Sequence, residues 1–278
     1  SMQKRQSPKR KKLKKVVLRQ EKQSQSKVIE TRNIDIEAVK KLEENHNIIF
    51  KPNDGPQTDF LAASEREVLY GGSAGGGKSY AMLADPLRYM GHPAFSGLLL
   101  RHTTEELREL IFKSQEMYPK IWPGIKWSER KMQWTAPSGA RLWMSYLDRE
   151  DDVLRYQGLA FSWIGFDELT QWATPYAWNY MRSRLRSTAP DLPIFMRATT
   201  NPGGRGHNWV KKMFIDPAVP NVTFDATDIE TGEILKYPEG HEKAGIPLFK
   251  RRFIPARLKD NPYLAKQGDY EAMLLSLP

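Results

Sequence analysis

Apolar residues along this chain gather in four short runs that end in turn residues or charge. They are Glu67-Val-Leu-Tyr70, Gly97-Leu-Leu-Leu-Arg101, Phe161-Ser-Trp-Ile-Gly-Phe166 and Pro193-Ile-Phe-Met-Arg-Ala-Thr199. Short runs without polar alternation suit strands covered on both faces. Between them the spacing changes to a helical one, predicting helices from Ser79 to about Tyr89, over 104–117 and over 175–187. Ile36, Val39 and Leu42 predict a further short amphipathic helix within 34–45, and residues 57–63 another. Residues 131–147 alternate instead, with Met132 and Trp134 on one side of Pro137-Ser-Gly139 and Leu142, Met144 and Tyr146 on the other, which is a hairpin pattern. Strands alternating with helices predict an α/β fold with a largely parallel sheet. From about residue 217 onward the pattern is irregular and proline-rich and predicts no element.

The chain has 278 residues, of which 40% are hydrophobic, enough for one large domain with a core. No stretch approaches the roughly 18 apolar residues of a membrane helix, and no secretory signal is visible. The absence of cysteine excludes disulfides, thiolate zinc sites and cysteine nucleophiles. Five histidines show no metal-ligand spacing. Ser1 ahead of Met2 reads as a remnant of tag cleavage. The net charge of +10 lies wholly within residues 1–27, which hold 11 Lys+Arg and the single acid Glu21; the remainder is balanced. That segment reads as a disordered tail. It serves either to neutralise nucleic-acid phosphates or merely to keep the chain soluble.

Three constellations carry chemistry. Gly72, Ser73, Ala74, Gly75, Gly76, Gly77, Lys78 and Ser79 match G-x-x-x-x-G-K-[ST], with an apolar strand before and a helical pattern after. Glycines let backbone N–H groups converge on phosphate oxygens, and the following helix N-terminus favours anions. In such a loop Lys78 reaches the β- and γ-phosphates of ATP, and the Ser79 hydroxyl ligates Mg²⁺. The alternative, a merely flexible glycine-rich loop, does not account for the ordered succession of strand, loop, lysine, hydroxyl and helix. Next, the strand ending at Phe166 delivers Asp167 and Glu168 at its C-terminal end, where open α/β sheets bind ligands. Asp167 is expected in the magnesium shell and Glu168 as the group that polarises the attacking water. Alone, such a pair marks an ordinary strand exit; the phosphate loop upstream gives it weight. Finally, Thr200 and Asn201, in Arg197-Ala-Thr-Thr-Asn-Pro-Gly203, stand where small polar groups sense the γ-phosphate. The same residues are also ordinary turn chemistry.

These residues together resemble the ATPase domain of the large terminase subunit of tailed double-stranded DNA bacteriophages. Pro56-Gln57 with Phe60-Leu61 resembles the adenine-side Q motif. Leu98-Leu-Leu-Arg101 is similar to the second strand with its arginine, and Arg155-Tyr-Gln-Gly158 with Trp163 to Glu168 to the Walker B region. Ser183-Arg-Leu-Arg186 with Thr199 to Gly203 is similar to the segment before the coupling motif, and Phe253 to Arg257 with Asp260 to Tyr263 to the segment after the core. The resemblance covers roughly residues 50–275.

It implies a P-loop NTPase of the additional-strand, catalytic-glutamate class with a β-hairpin insertion. It divides the chain into the tail at 1–27, an ATPase domain at 28–250, and from 251–278 the start of a lid or linker toward a nuclease domain. No later carboxylate cluster is seen, so nuclease activity is not expected. The resemblance implies ATP and Mg²⁺ as cofactors, Gln57 on the adenine side, and a motor that drives double-stranded DNA into a procapsid. It also implies a homo-oligomeric ring, a portal protein and a small terminase subunit as partners, no membrane, and the host cytoplasm as location. Arg155 is then a candidate finger acting in trans, with pairing inside its own acidic loop as the alternative. Arg101 contacts phosphate in cis or pairs with an acid. Arg182, Arg184 and Arg186 either touch DNA or a neighbouring subunit or form a solvated helix face, the reading favoured for Arg182, and the eight tryptophans read as packing rather than base-stacking groups. A helicase-like translocase would need a second motor domain, for which the chain has no room. A non-hydrolysing nucleic-acid-binding protein would not need the intact set of Lys78, Ser79, Asp167 and Glu168.

Overall fold

The computed structural model describes residues 56–72 and 77–256. The tail, the helix expected within 34–45, residues Ser73 to Gly76 of the phosphate loop, and the segment after Ala256 lie outside the described residues.

Nine strands form one sheet in the order β3-β4-β5-β2-β6-β7-β1-β9-β8. They are β1 Glu67–Gly71, β2 Ser96–Arg101, β3 Lys126–Ser128, β4 Gln133–Thr135, β5 Arg141–Tyr146, β6 Trp163–Phe166, β7 Phe195–Thr200, β8 Phe224–Asp225 and β9 Lys250–Pro255. The six strands from β5 to β9 across the middle pair in parallel. The outer strands β3, β4 and β8 pair antiparallel. The apolar runs predicted as strands are β1, β2, β6 and β7, and β7 is the additional strand between β1 and β6. The hairpin predicted over 131–147 is β4 with β5. It extends the central sheet, because β5 also runs in parallel beside β2.

Alternate residues of each central strand enter two separate cores, as period-two geometry requires. Val68, Tyr70, Leu99 and Trp163 face one side, against α1 (Pro56–Leu61), α2 (Lys78–Ala84) and α3 (Thr104–Ile121). Leu69, Leu98, Leu100, Ile164 and Phe166 face the other, against α4 (Tyr176–Arg182) and α5 (His207–Val210). Trp134, Trp163, Trp172 and Trp178 are fully buried, as packing groups should be. Gly165 is required by this packing: a Cβ there would lie 2.4 Å from the Trp163 ring and 2.9 Å from Met82 Sδ of α2.

Several boundaries differ from the sequence reading. The helix predicted from Ser79 to about Tyr89 is α2, which keeps α geometry only through Ala84 and tightens to a 3-10 turn over Asp85–Tyr89, because Pro86 has no N–H to donate back along the helix. The helix predicted over 175–187 stops at Arg182. Beyond it the Phe161 N–H donates to the Arg184 carbonyl and the Arg186 N–H to the Phe161 carbonyl, which draws the chain into extended pairing beside β6. Strands β8 and β9 lie in the stretch for which no element was predicted. β9 runs along β1 through Pro255.

Two buried ion clusters tie the sheet together. Glu67, fully buried at the start of β1, pairs with Arg182 of α4 and accepts from Arg251 Nε of β9 at 3.0 Å and Trp178 Nε1 at 3.1 Å. Arg182 is therefore a structural partner, not a solvated helix position. Asp85 meets Arg88 at 2.9 Å and accepts from Trp163 Nε1 at 2.8 Å, with Arg197 of β7 3.8 Å away.

Candidate active site

The C-terminal ends of parallel strands gather the site. β1 ends at Gly71, whose φ of +145° and open α-carbon let it pass beside β7: a Cβ would sit 2.1 Å from the Thr200 carbonyl oxygen and 3.0 Å from the Lys78 stem. The Gly72 N–H then donates to that same carbonyl at 3.1 Å. Gly77, at φ +68°, leads into α2, and Gln57 Nε2 of α1 lies 3.4 Å from its carbonyl oxygen. Gln57 is thus placed beside the exit of the phosphate loop.

Lys78 and Ser79 open α2. Lys78 is buried, and burial pushes its ammonium below the ordinary lysine value against the opposing pull of Asp167 and Glu168. Ser79 Oγ donates to Asp167 Oδ2 at 3.2 Å. That contact closes the 88-residue separation between the two motifs.

Asp167 is completely buried and fully partnered. Arg101 Nη1, from the end of β2, meets Oδ2 at 2.6 Å, and Thr199 Oγ1, from β7, donates to Oδ1 at 2.5 Å. Arg101 also lies 3.6 Å from Glu168 and 3.7 Å from Glu106. Burial works against its guanidinium, yet Asp167 and Glu168 outweigh burial and hold it above its ordinary value. Of the two roles open to Arg101, the structure displays the acid pair.

Glu168 stands at a sharp corner, with φ 58° and ψ 63°. Such left-handed geometry is uncommon outside glycine and concentrates where a site over-determines the backbone. Its N–H donates to Thr199 Oγ1 at 2.9 Å. Its carboxylate accepts from Asn201 Nδ2 at 3.1 Å and from Gln171 Nε2 at 2.6 Å. Burial pushes the Glu168 carboxyl above the ordinary range, and Asp167 and Glu106 push the same way against Arg101 and Lys78. A carboxylate whose proton affinity is raised in this way is a better proton acceptor, which suits a group that polarises water.

Of the two residues expected as sensors, Asn201, just past the end of β7, reaches Glu168. Thr200 turns its hydroxyl toward Thr170, 3.3 Å away, on the face of β7 opposite Thr199. Thr199, Gln171 and Glu106 were not singled out from the sequence. For Thr199 a signal existed, since strand alternation places 199 and 200 on opposite faces. Arg155 lies apart from this constellation, on a 3-10 turn over Glu150–Tyr156. Its Nε donates to the Asp152 carbonyl at 3.1 Å, its Nη2 lies 3.5 Å from the Asp152 carboxylate, and its side chain remains 42% exposed.

Ser79 and Asp167 are hard oxygen donors. Mg²⁺ is commonly bound by one or two such protein groups together with substrate phosphates and water, so this pair suits it. Among the described residues no three His, Cys, Asp or Glu side chains cluster as an all-protein metal cage.

A family model for the phage terminase large subunit matches residues 64–238. Among solved structures, the Thermus phage P74-26 large terminase ATPase domain is 14% identical, with a TM-score of 0.48 over 76% of this chain and 83% of that one. The large terminase of a thermophilic bacteriophage, in complex with ADP, is 13% identical, with a TM-score of 0.46 over 80% of this chain and 49% of that one. The N-terminal domain of the bacteriophage phi29 DNA packaging ATPase is 16% identical, with a TM-score of 0.42 over 56% of this chain and 80% of that one. No curated protein matches the chain significantly. The family match spans well over half the chain and takes in β1, β6 and β7 with every residue that meets at Asp167, and the chain belongs to the phage terminase large subunit family.

Proposed function

We propose that this chain is the ATPase motor of a DNA-packaging terminase, with hydrolysis carried out between α2, β6 and β7. The observation that carries this reading is the convergence of Lys78 and Ser79 with Asp167 and Glu168, motifs far apart in sequence, through the Ser79–Asp167 contact. In this reading the phosphate loop from Gly72 to Ser79 cradles the triphosphate. Its central residues, Ser73 to Gly76, complete the loop by sequence pattern alone. Gln57 sits at the loop exit, on the side assigned to adenine. Ser79 and Asp167 would hold Mg²⁺, which on binding supplies positive charge to the phosphates.

The chain's own groups account for the rest. Lys78 places a cation on the phosphate side of the acidic pair and offsets the charge that builds on the γ-phosphoryl group. Glu168, oriented by Asn201 and Gln171, accepts a proton from the attacking water. Arg101 balances two adjacent carboxylates that would otherwise disfavour each other's ionisation. Asn201 links β7 to Glu168 and so couples the catalytic carboxylate to the sheet.

Double-stranded DNA, a portal protein, a small terminase subunit and a homo-oligomeric ring are the partners in this reading, and the host cytoplasm its setting. Arg155 would complete the site of a neighbouring subunit, released from Asp152 on assembly. Among the described residues no helix is long and apolar enough to cross a membrane. ATP turnover measured with double-stranded DNA, in the presence and absence of procapsids, tests the proposal. Stimulation by DNA and further stimulation on procapsids is the expected result; turnover indifferent to both would remove the packaging role.

A further inference from the structure

Glu168 is held by a second group that belongs to no motif. Gln171 closes the 3-10 turn Leu169–Gln171 that follows the left-handed corner at Glu168. Its Nε2 stands between two carboxylates, 2.6 Å from Glu168 Oε2 and 3.0 Å from Glu106 Oε1. Two anionic acceptors fix which end of the amide faces them: the nitrogen must, because the oxygen would meet a carboxylate with no proton between them. Gln171 therefore donates both amide protons to acids.

The backbone around Gln171 is anchored on each side. The Thr170 carbonyl accepts from the Gly206 N–H at 2.7 Å. Trp172 is buried, its Nε1 donates to the Leu147 carbonyl at 3.2 Å, and its own carbonyl accepts from Trp209 Nε1 at 2.8 Å. The amide thus hangs from a rigid support, the arrangement a positioning group requires. Gln171 is half-buried and also lines a crevice of about 570 Å³ with His102, Asp148 and Arg205.

We infer that Gln171 is a positioning residue for hydrolysis: it holds the Glu168 carboxylate in place and keeps it apart from the like charge of Glu106. The inference rests on the proposed ATPase reading. Without the amide, Glu168 loses its shortest donor and faces Glu106 directly.

The experiment compares wild type, Gln171→Ala and Gln171→Glu at concentrations where the wild-type chain is active. It records kcat and KM for ATP, and affinity for the non-hydrolysable analogue AMP-PNP. Gln171→Ala should lower kcat by roughly 10- to 100-fold, the effect of one hydrogen bond to a charged group, with KM and AMP-PNP affinity within about threefold of wild type. Gln171→Glu, which puts a third carboxylate in place of the donor, should lower kcat at least as far, again with KM and AMP-PNP affinity little changed. A kcat within about twofold of wild type would overturn the inference while leaving the ATPase reading intact. Equal losses in kcat and AMP-PNP affinity would also overturn it, by showing a structural role. A wild-type chain unable to hydrolyse ATP would overturn both.

Discussion

Replacing Glu67 with glutamine tests the buried ion cluster that joins β1, α4 and β9. Glu67 has no exposed surface, and burial alone would raise its pKa. Arg182 and Arg251 outweigh burial and hold the carboxyl down to about 2. Burial pushes the Arg251 guanidinium down from its ordinary value too, but that value lies so far above neutrality that the pair stays ionised. An unfolded glutamate titrates near 4.3. Because the folded value is the lower one, the contribution is fully present above about pH 5 and is lost as pH falls toward 2. Each pKa unit corresponds to about 1.4 kcal/mol, so the difference amounts to about 3 kcal/mol, with about half of it gone by pH 3. Glutamine at this position leaves two arginines without their anion, which at neutral pH is expected to cost about 3–5 kcal/mol. Urea unfolding of both proteins between pH 7 and 3 measures the gap directly. The gap should be widest at neutral pH and narrow by about 1–2 kcal/mol at pH 3. A gap that stays constant across that range would refute the assignment of the depressed carboxyl to Glu67.

Two further outcomes follow from the site. Thr199→Val removes the hydroxyl that donates to Asp167 and accepts from the Glu168 N–H. It should lower stability by about 1–3 kcal/mol in urea unfolding and reduce kcat more than ATP affinity. For Arg155, the variant Arg155→Ala should bind ATP normally yet fail to turn it over in the assembled ring. Mixing it with Glu168→Gln should restore part of the activity, because some sites then combine an intact Glu168 with a neighbour's intact Arg155, and an arginine finger is worth roughly 10³–10⁵ in rate. No recovery at any ratio, under conditions where rings form, would confine Arg155 to its pairing with Asp152.

Strands β1, β2, β6 and β7 were legible because strands buried on both faces need continuous apolar runs. The two motifs at their C-terminal ends were legible for the same reason, since each sits where such a run stops. β9 was not, because Lys250-Arg-Arg-Phe-Ile-Pro255 reads as charged. Arg251 is nonetheless buried and Arg252 half-buried, each beside an acid, Glu67 or Glu65, that sequence spacing does not reveal. The end of α4 escaped notice because what stops it is a backbone pairing with Phe161, a partner 23 residues or more earlier in the chain. Arg182 looked like a solvated position for the same kind of reason, its partner Glu67 lying 115 residues away. At the site, the phosphate-loop and Walker B residues were readable from type and order. Gln171 was not, since a lone glutamine after Thr170 carries no pattern and acquires its position only from the left-handed turn at Glu168.

In the proposed function this site binds ATP and Glu168 turns it over. The most direct test is Glu168→Gln, with nucleotide binding and hydrolysis measured separately on the same preparation. The substitution keeps size and polarity but removes the carboxylate proposed to accept the proton from water. Binding of ATP within about threefold of wild type, with turnover reduced by at least about a hundredfold, is the predicted result. Near-normal turnover in Glu168→Gln would contradict the account, because the chemistry would then belong to another group.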